Sequence, residues 1–471
     1  MDTGYSLKQV LAVAKVHPLY NADIKYPPSP EEVLEIAKSI DKNDNEGVNL
    51  SSLPLATKDT LYPTINRLWT DDSPENHYRK AAYLGMTGGG SGGKPMLFAT
   101  DVFENRRHRA AAASLLRVCK VIEPGDVVFS VHASGYLYRA LDLMTELFEM
   151  AGGSVLCGGL SMQGDIAVEN VIYFRANVFA GDGSQVLAFA NTVASLPAEK
   201  RKQVNITKVV YTSDVLTRDQ RKIVRSVLGA NIYSVNGSCE AGAWCCANFS
   251  ITGEPEDEAV DFIYDTRMMV VEILPPALLD EATTGVAMEI HPVPDGEKGI
   301  LVQTSLSRFR NPLVRYVTGD MASIQPLPAT DEIPEDVAKN LRILRFYGRD
   351  RRFSFKWYGD YFEFQKVKAF IQGQKGWGIL QYQIILENLP EKETLILTVR
   401  LYRSDPNAVL PGQEALVSNE VVEEGVKEFF AVFEENGNVN DFKLEFVEDL
   451  SGFERSKTGN KVMNFVDRSK H

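Results

Sequence analysis

The segment MTGGGSGGKP, Met86 to Pro95, gathers five glycines, a serine and a lysine into ten positions. Consecutive glycine N–H groups can turn toward an anion with no side chain in the way. Ser91 and Lys94 would add a hydroxyl and a charge, so the chemistry to consider first is a grip on phosphate. Two other readings compete. A flexible glycine–serine linker belongs at a compositional break, whereas this stretch lies between a strand-like run and a helix inside one domain. A triphosphate loop of the G-x-x-x-x-G-K-[ST] kind is matched by Gly88, Gly93 and Lys94, but Pro95 follows and supplies neither the magnesium-binding hydroxyl nor an N–H. What remains is a phosphate loop of another design, dependent on carboxylates and cations elsewhere in the chain.

The rest of the sequence limits what those partners can be. With 471 residues, 44% hydrophobic and 24% charged, the chain is long enough for two or more globular domains. The formal net charge of −13 repels polyanions, which argues against nucleic acid as a partner while leaving room for a local cationic pocket. No run of eighteen apolar residues and no leader-like N-terminus is present. The expectation is therefore a cytoplasmic protein with no membrane partner. The tail Ser469–Lys470–His471 resembles the peroxisomal S-K-L signal without its apolar last residue, which makes the peroxisome the alternative. Cys119, Cys157, Cys239, Cys245 and Cys246 are too few and too irregular for a disulfide framework. CEAGAWCC lacks the spacing of a tetrahedral metal site and reads as buried thiols.

The elements that must position a phosphate loop follow from periodicity. Lys80–Met86 is a mixed, strand-like run, and DVFENRRHRAAAASLLRVCKV (Asp101 to Val121) places Ala and Leu on one helical face. GDVVFSVHA and GSVLCGGL read as buried strands around the helix LYRALDLMTELFEMAGG. KVVYTSD precedes the helix TRDQRKIVRSVLG, where Gly229 suits a C-cap. Alternation of this kind predicts a large α/β core. After Tyr347–Asp350 the texture changes to shorter strands and one long helix, with Val422, Val426, Phe429 and Phe433 at helical spacing and Phe442, Leu444 and Phe446 alternating. The chain is thus expected to divide into a large α/β domain over residues 1–347, a hinge at 348–351 and a small α+β domain over 352–471.

Read in order, these segments resemble acyl-adenylate-forming enzymes, in particular phenylacetate–CoA ligases. GGGSGGKP resembles the family's S-S-G-T-T-G-K-P loop, and LPLATKDTLYP the stretch before its core. SDVLTRDQRKIVRSVLGANIYSVNGSCEAG is similar to the segment ending in Y-G-x-x-E. GILVQTSLSRFRNPLVRYVTGD resembles the strand pair ending in R-Y-R-T-G-D, FYGRDRRF the hinge, and ERSKTGNKVMNFVD the terminal segment with its catalytic lysine. The resemblance covers nearly the whole chain and implies a large α/β domain with a small mobile C-terminal domain. It implies an ATP site made of Gly88, Gly89, Gly90, Ser91, Gly92, Gly93, Lys94, Ser213, Asn236, Gly237, Ser238, Asp320 and Arg349. Glu240 would hold Mg²⁺, Asp320 the ribose, and Lys461 would be the catalytic lysine, with Lys457 its competitor. Arg351 would be the hinge pivot, and His132, Tyr136, Tyr138, Ala241 and Gly242 would line the substrate pocket.

Several positions depart from the pattern. Gly92 replaces a hydroxyl residue of the loop, and Asn236 stands where an aromatic stacks on adenine. Arg351 and Arg352 replace two acidic hinge residues, and extra residues occur in SKTGNK and beside Trp357–Tyr358–Gly359. The metal, ribose and lysine positions are kept. The expected activity is ATP-dependent activation of a small-molecule carboxylic acid, aromatic or aryl-acetic, as an acyl-adenylate, followed by transfer to coenzyme A. Transfer to an amine or a partner enzyme is the alternative, and a non-catalytic ATP-binding protein is an alternative of another class. The sequence carries no signal of oligomeric state.

Overall fold

The computed structural model describes residues 4–41, 48–86, 97–135, 137–162, 164–213, 216–254, 259–276, 290–349, 354–358, 360–388, 395–405, 415–456 and 461–469. An eleven-stranded sheet forms the centre of the large domain. One half is parallel, running in space through Ser154–Cys157, Val127–Ser130, Val178–Asp182, Lys208–Thr212 and Asn231–Ser238. Antiparallel strands continue it through Gly242–Asn248, Val260–Asp265, Leu341–Arg349, Tyr316–Gln325, Gly299–Ser305 and Met269–Leu274.

The parallel strands are apolar on both faces because helices cover both. Phe129, Phe179 and Val209 enter one core with helices Gly164–Phe174 and Gly183–Ser195. Val128, Val178 and Val210 enter the other, against Val102–Val118 and Ala140–Ala151. The Phe179 and Phe189 rings stack with centroids 3.8 Å apart. Helix ends carry their own signals: Asp182 with Gln185 and Thr217 with Gln220 form capping boxes, and Gly229 closes Arg218–Leu228 at φ +66°. The expected helix from Leu137 begins instead at Ala140. Leu137 turns the chain at φ +68°, and Tyr138–Arg139 pair antiparallel with Ser134–Gly135.

The small domain is a four-stranded sheet in the order Phe442–Val447, Leu395–Arg403, Ile379–Asn388, Phe465–Arg468, joined by the hairpin Ser354–Trp357/Asp360–Glu363. Helices Phe364–Gly373 and Asn419–Phe429 contribute Val367, Ile371, Val422 and Val426 to its core, with Phe355, Trp357 and Phe430. The second helix is shorter than its apolar spacing predicts: Ala431 takes φ +51°, and Phe433 beyond it is exposed. Leu380 of this domain is buried in the main core of the large one. Cys119, Cys245 and Cys246 are buried thiols, and among the described residues no group of three or more His, Cys, Asp or Glu is arranged to hold a metal. Among them, too, no helix is long and apolar enough to cross a membrane.

Candidate active site

Three strands of the parallel half deliver their carboxyl ends to one edge, the position where open α/β sheets bind ligands. From Val127–Ser130 the chain runs on to His132, from Lys208–Thr212 to Ser213, and from Asn231–Ser238 to Cys239 and Glu240. His132 is 2% exposed; its Nδ1 shares a hydrogen bond with Ser130 Oγ at 2.9 Å and its Nε2 one with Thr212 Oγ1 at 3.1 Å. Burial, reinforced by the charge of Lys461, lowers its pKa to about 3, so the imidazole is neutral at working pH.

Ser213 is exposed and held at φ +72°, a conformation costly for a residue with a Cβ. Its Oγ accepts from Lys461 Nζ at 2.5 Å, and that Nζ stands 5.0 Å from the centre of the Tyr138 ring. A lysine of the small domain thus rests on the carboxyl edge of the large sheet. Segment 461–464 is anchored in its own domain: Gln383 Nε2 donates to the carbonyls of Glu454 and Met463, and Lys461 O accepts from Ser456 N.

Glu240 is buried, and its Oε1 accepts from the Tyr316 hydroxyl at 3.0 Å with Lys58 Nζ at 3.7 Å. Lys58 opens the helix Lys58–Thr70, and its approach is fixed because Ala56 is stitched into the sheet, donating to Arg315 O and accepting from Val317 N. Arg315, fully buried, pairs with Glu272 and donates to the carbonyls of Ser51 and Leu53. Arg308, also buried, donates to Cys239 O at 3.0 Å, and burial draws its pKa down. The Cys239 thiol donates to Met86 O at 2.9 Å, and burial, then the neighbouring Glu240, raise its pKa to about 11. The strand that enters the glycine segment is thereby tied to the residue before Glu240.

Four positions upstream of Asp320, on the same strand, is Tyr316; the Asp320 amide donates to Thr318 Oγ1 at 3.0 Å, and Asp320 lies opposite Arg349 in the sheet. Gly237 and Ser238 are exposed at the open end of their strand, and a Cβ on Gly237 would stand 2.4 Å from Gly242 O. Asn236 Oδ1 turns back to accept from Gly237 N at 2.8 Å. Ala241 is buried in the main core, and Gly242, at φ +75°, packs against His108, whose Nε2 meets Ala243 O at 2.7 Å. Gly88 to Lys94, Tyr136, Arg351 and Lys457 lie outside the described residues, as does the side chain of Arg349.

The structure therefore brings together Lys461, Ser213, His132 and Tyr138, and separately Glu240 with the strand of Asp320. Sequence reasoning missed Tyr316, Lys58, Arg308 and Thr212. All four stand in segments quoted above, but nothing in those segments says that Tyr316 and Lys58 meet Glu240, Arg308 meets Cys239 or Thr212 meets His132.

No protein-family model matches the chain. Over 245 residues, 47% of this chain, the sequence is 26% identical to an indoleacetate–lysine synthetase of Pseudomonas savastanoi, and the match spans about half, 53%, of that relative. The structure is similar to 2-hydroxyisobutyryl-CoA ligase in the postadenylation state with an acyl-AMP, with a TM-score of 0.61 at 15% identity, covering 97% of this chain and 87% of that one. An open conformation of the same ligase with 2-HIB-AMP and CoA gives a TM-score of 0.56 at 16% identity, covering 98% and 90%. The eleven-stranded sheet with its small C-terminal domain is thus the fold of the AMP-forming acyl-CoA ligases.

Proposed function

We propose that this protein uses ATP to activate a carboxylic acid as an acyl-adenylate, releasing pyrophosphate, and then transfers the acyl group to coenzyme A. The observation that carries the reading is the seat of Lys461 on Ser213, which puts a cation from the small domain at the carboxyl edge of the sheet that also carries Glu240 beyond one of its strands. A carboxylate attacking an α-phosphate builds negative charge on both partners, and a fixed ammonium stabilises that charge where it develops. Lys461 takes this role, Asp320 holds the ribose, and residues 88–94 grip the triphosphate. Asn236, Gly237 and Ser238 form the edge on which the adenine rests, with Arg349 at the far side. His132 and Tyr138 form the wall of the acyl site.

Glu240 suits magnesium: a buried carboxylate whose described contacts both fall on Oε1 keeps Oε2 for a cation, and magnesium is commonly held by one or two carboxylates together with substrate phosphates. When bound, that ion neutralises triphosphate charge. Arg351 serves as the pivot about which the small domain, residues 352–471, turns between half-reactions.

A second reading transfers the same adenylate to an amine, and the similarity to an indoleacetate–lysine synthetase favours it. Pyrophosphate exchange over a panel of aromatic, aryl-acetic and hydroxy acids tests the common step, and its absence with every acid would sink both readings. AMP release accelerated by coenzyme A with a thioester product selects the first; release driven by amines alone selects the second.

A further inference from the structure

Next to the site lies a cavity of about 230 Å³ lined by Tyr83, Arg106, Arg109, Arg139, Asp142 and Glu146 among others. Arg109 is 2% exposed; it donates Nη1 to Glu146 and Nη2 to Asp142, the latter at 3.2 Å, while its Nε has no partner. A buried donor left unmade is costly, and here that donor belongs to a side chain that lines the cavity. Arg139 reaches Asp142 at 3.0 Å and Arg106 reaches Glu146 at 3.1 Å. The guanidiniums of Arg109 and Arg139 lie 4.7 and 4.2 Å from the Tyr83 ring centre. Three guanidiniums face two carboxylates, so the lining carries an uncompensated positive charge.

The walls are the elements that also frame the reaction site. Tyr83 is on the strand Ala82–Met86, which enters the glycine segment, and Arg106 and Arg109 are on the helix that follows it. Arg139 adjoins Tyr138, on the strand pair whose Tyr138 ring sits under Lys461.

We propose that this cavity is an oxyanion subsite, taking a carboxylate or phosphate at the end of one of the two small molecules that the enzyme joins. The inference rests on the function proposed above for its role, but not for its existence. An oxyanion would accept from Arg109 Nε and from the remaining N–H groups of Arg139 and Arg106, and would neutralise the lining.

The test uses the full chain with succinate and inorganic phosphate as probes in calorimetry, and Arg139→Gln as the main variant because Arg139 is 44% exposed and its loss leaves the fold intact. Arg109→Lys, which keeps charge but removes Nε, is the second variant and is interpreted only if its melting temperature is retained. The expected result is that Arg139→Gln weakens probe binding, or raises the KM of one reactant, by about tenfold, the size of one charge-assisted contact. A raised KM for the acid in pyrophosphate exchange assigns the oxyanion to the acid; a raised KM for the acceptor alone assigns it to the acceptor. Unchanged probe binding together with both KM values unchanged overturns the subsite. Probe binding that depends on Arg139 in a protein showing no acid-dependent exchange upholds the subsite and rejects the proposed function instead.

Discussion

The Nζ of Lys461 and the Oγ of Ser213 stand 2.5 Å apart across 248 residues of sequence, one on each domain. The lysine comes from the tail of the small domain and the serine from the end of a central strand, so this contact records a domain arrangement as well as a hydrogen bond.

Replacing Lys461 by Ala is expected to lower acid-dependent pyrophosphate exchange by about 10²–10³-fold, the usual loss when a group stabilising transition-state charge is removed. Circular dichroism should be unchanged, since the side chain is only half-buried. Exchange that survives in Lys461→Ala but is lost in Lys457→Ala would move the catalytic role to the other lysine.

Ser213→Gly separates strain from function. At φ +72° a glycine relieves a cost of about 1 kcal/mol, so thermal unfolding should shift upward by about one degree while exchange falls, because the oxygen that seats Lys461 is gone. Ser213→Ala keeps the strain and loses the oxygen; it should be no more stable than the parent.

Tyr316→Phe removes the donor to buried Glu240 without changing the shape of the core. The expected loss is about 1–3 kcal/mol, divided between folding and nucleotide binding, with the KM for ATP–magnesium rising more than that for the acid. Equal rises in both would mean that Glu240 does not face the nucleotide.

Stability should fall on mild acidification. Burial lowers His17 and His108 to about 4 and His132 to about 3, so the unfolded chain binds protons near pH 6.5 that the folded chain refuses. Glu104 acts in the opposite sense: burial raises it to about 7, and the folded chain takes up its proton before the unfolded one does. Three histidines outweigh one carboxyl, so urea midpoints should drop steadily between pH 6.5 and 5. Removing one histidine's contribution with His17→Gln should flatten that slope; an unchanged slope in this variant would contradict the assignment.

Much of the fold was legible because it is local. The alternation of apolar strands with capped helices follows from periods of two and 3.6 residues and from signals such as Gly229. Tyr138–Arg139 read as helix because the sequence from Leu137 to Ala151 is rich in helix formers with apolar residues at helical spacing, while the turn at Leu137 is fixed by pairing with Ser134–Gly135. The site was legible only as far as its motifs reach. Motifs name Glu240 and Lys461, but the hydroxyl on Glu240 comes from 76 residues away and the hydrogen bond on His132 from 80, and no local rule encodes such pairings.

The stitching of residues 51–58 to Arg315 bears on how the protein is made. Arg315 reaches the Leu53 carbonyl across 262 residues and the Ser51 carbonyl across 264. During synthesis Lys58 leaves the ribosome early and must wait for Tyr316 to complete the environment of Glu240, and Lys461 emerges later still. Such long closures are slow to form, so the proposed nucleotide site would be assembled near the end of synthesis, and a partly made chain would have no competent grip with which to sequester ATP.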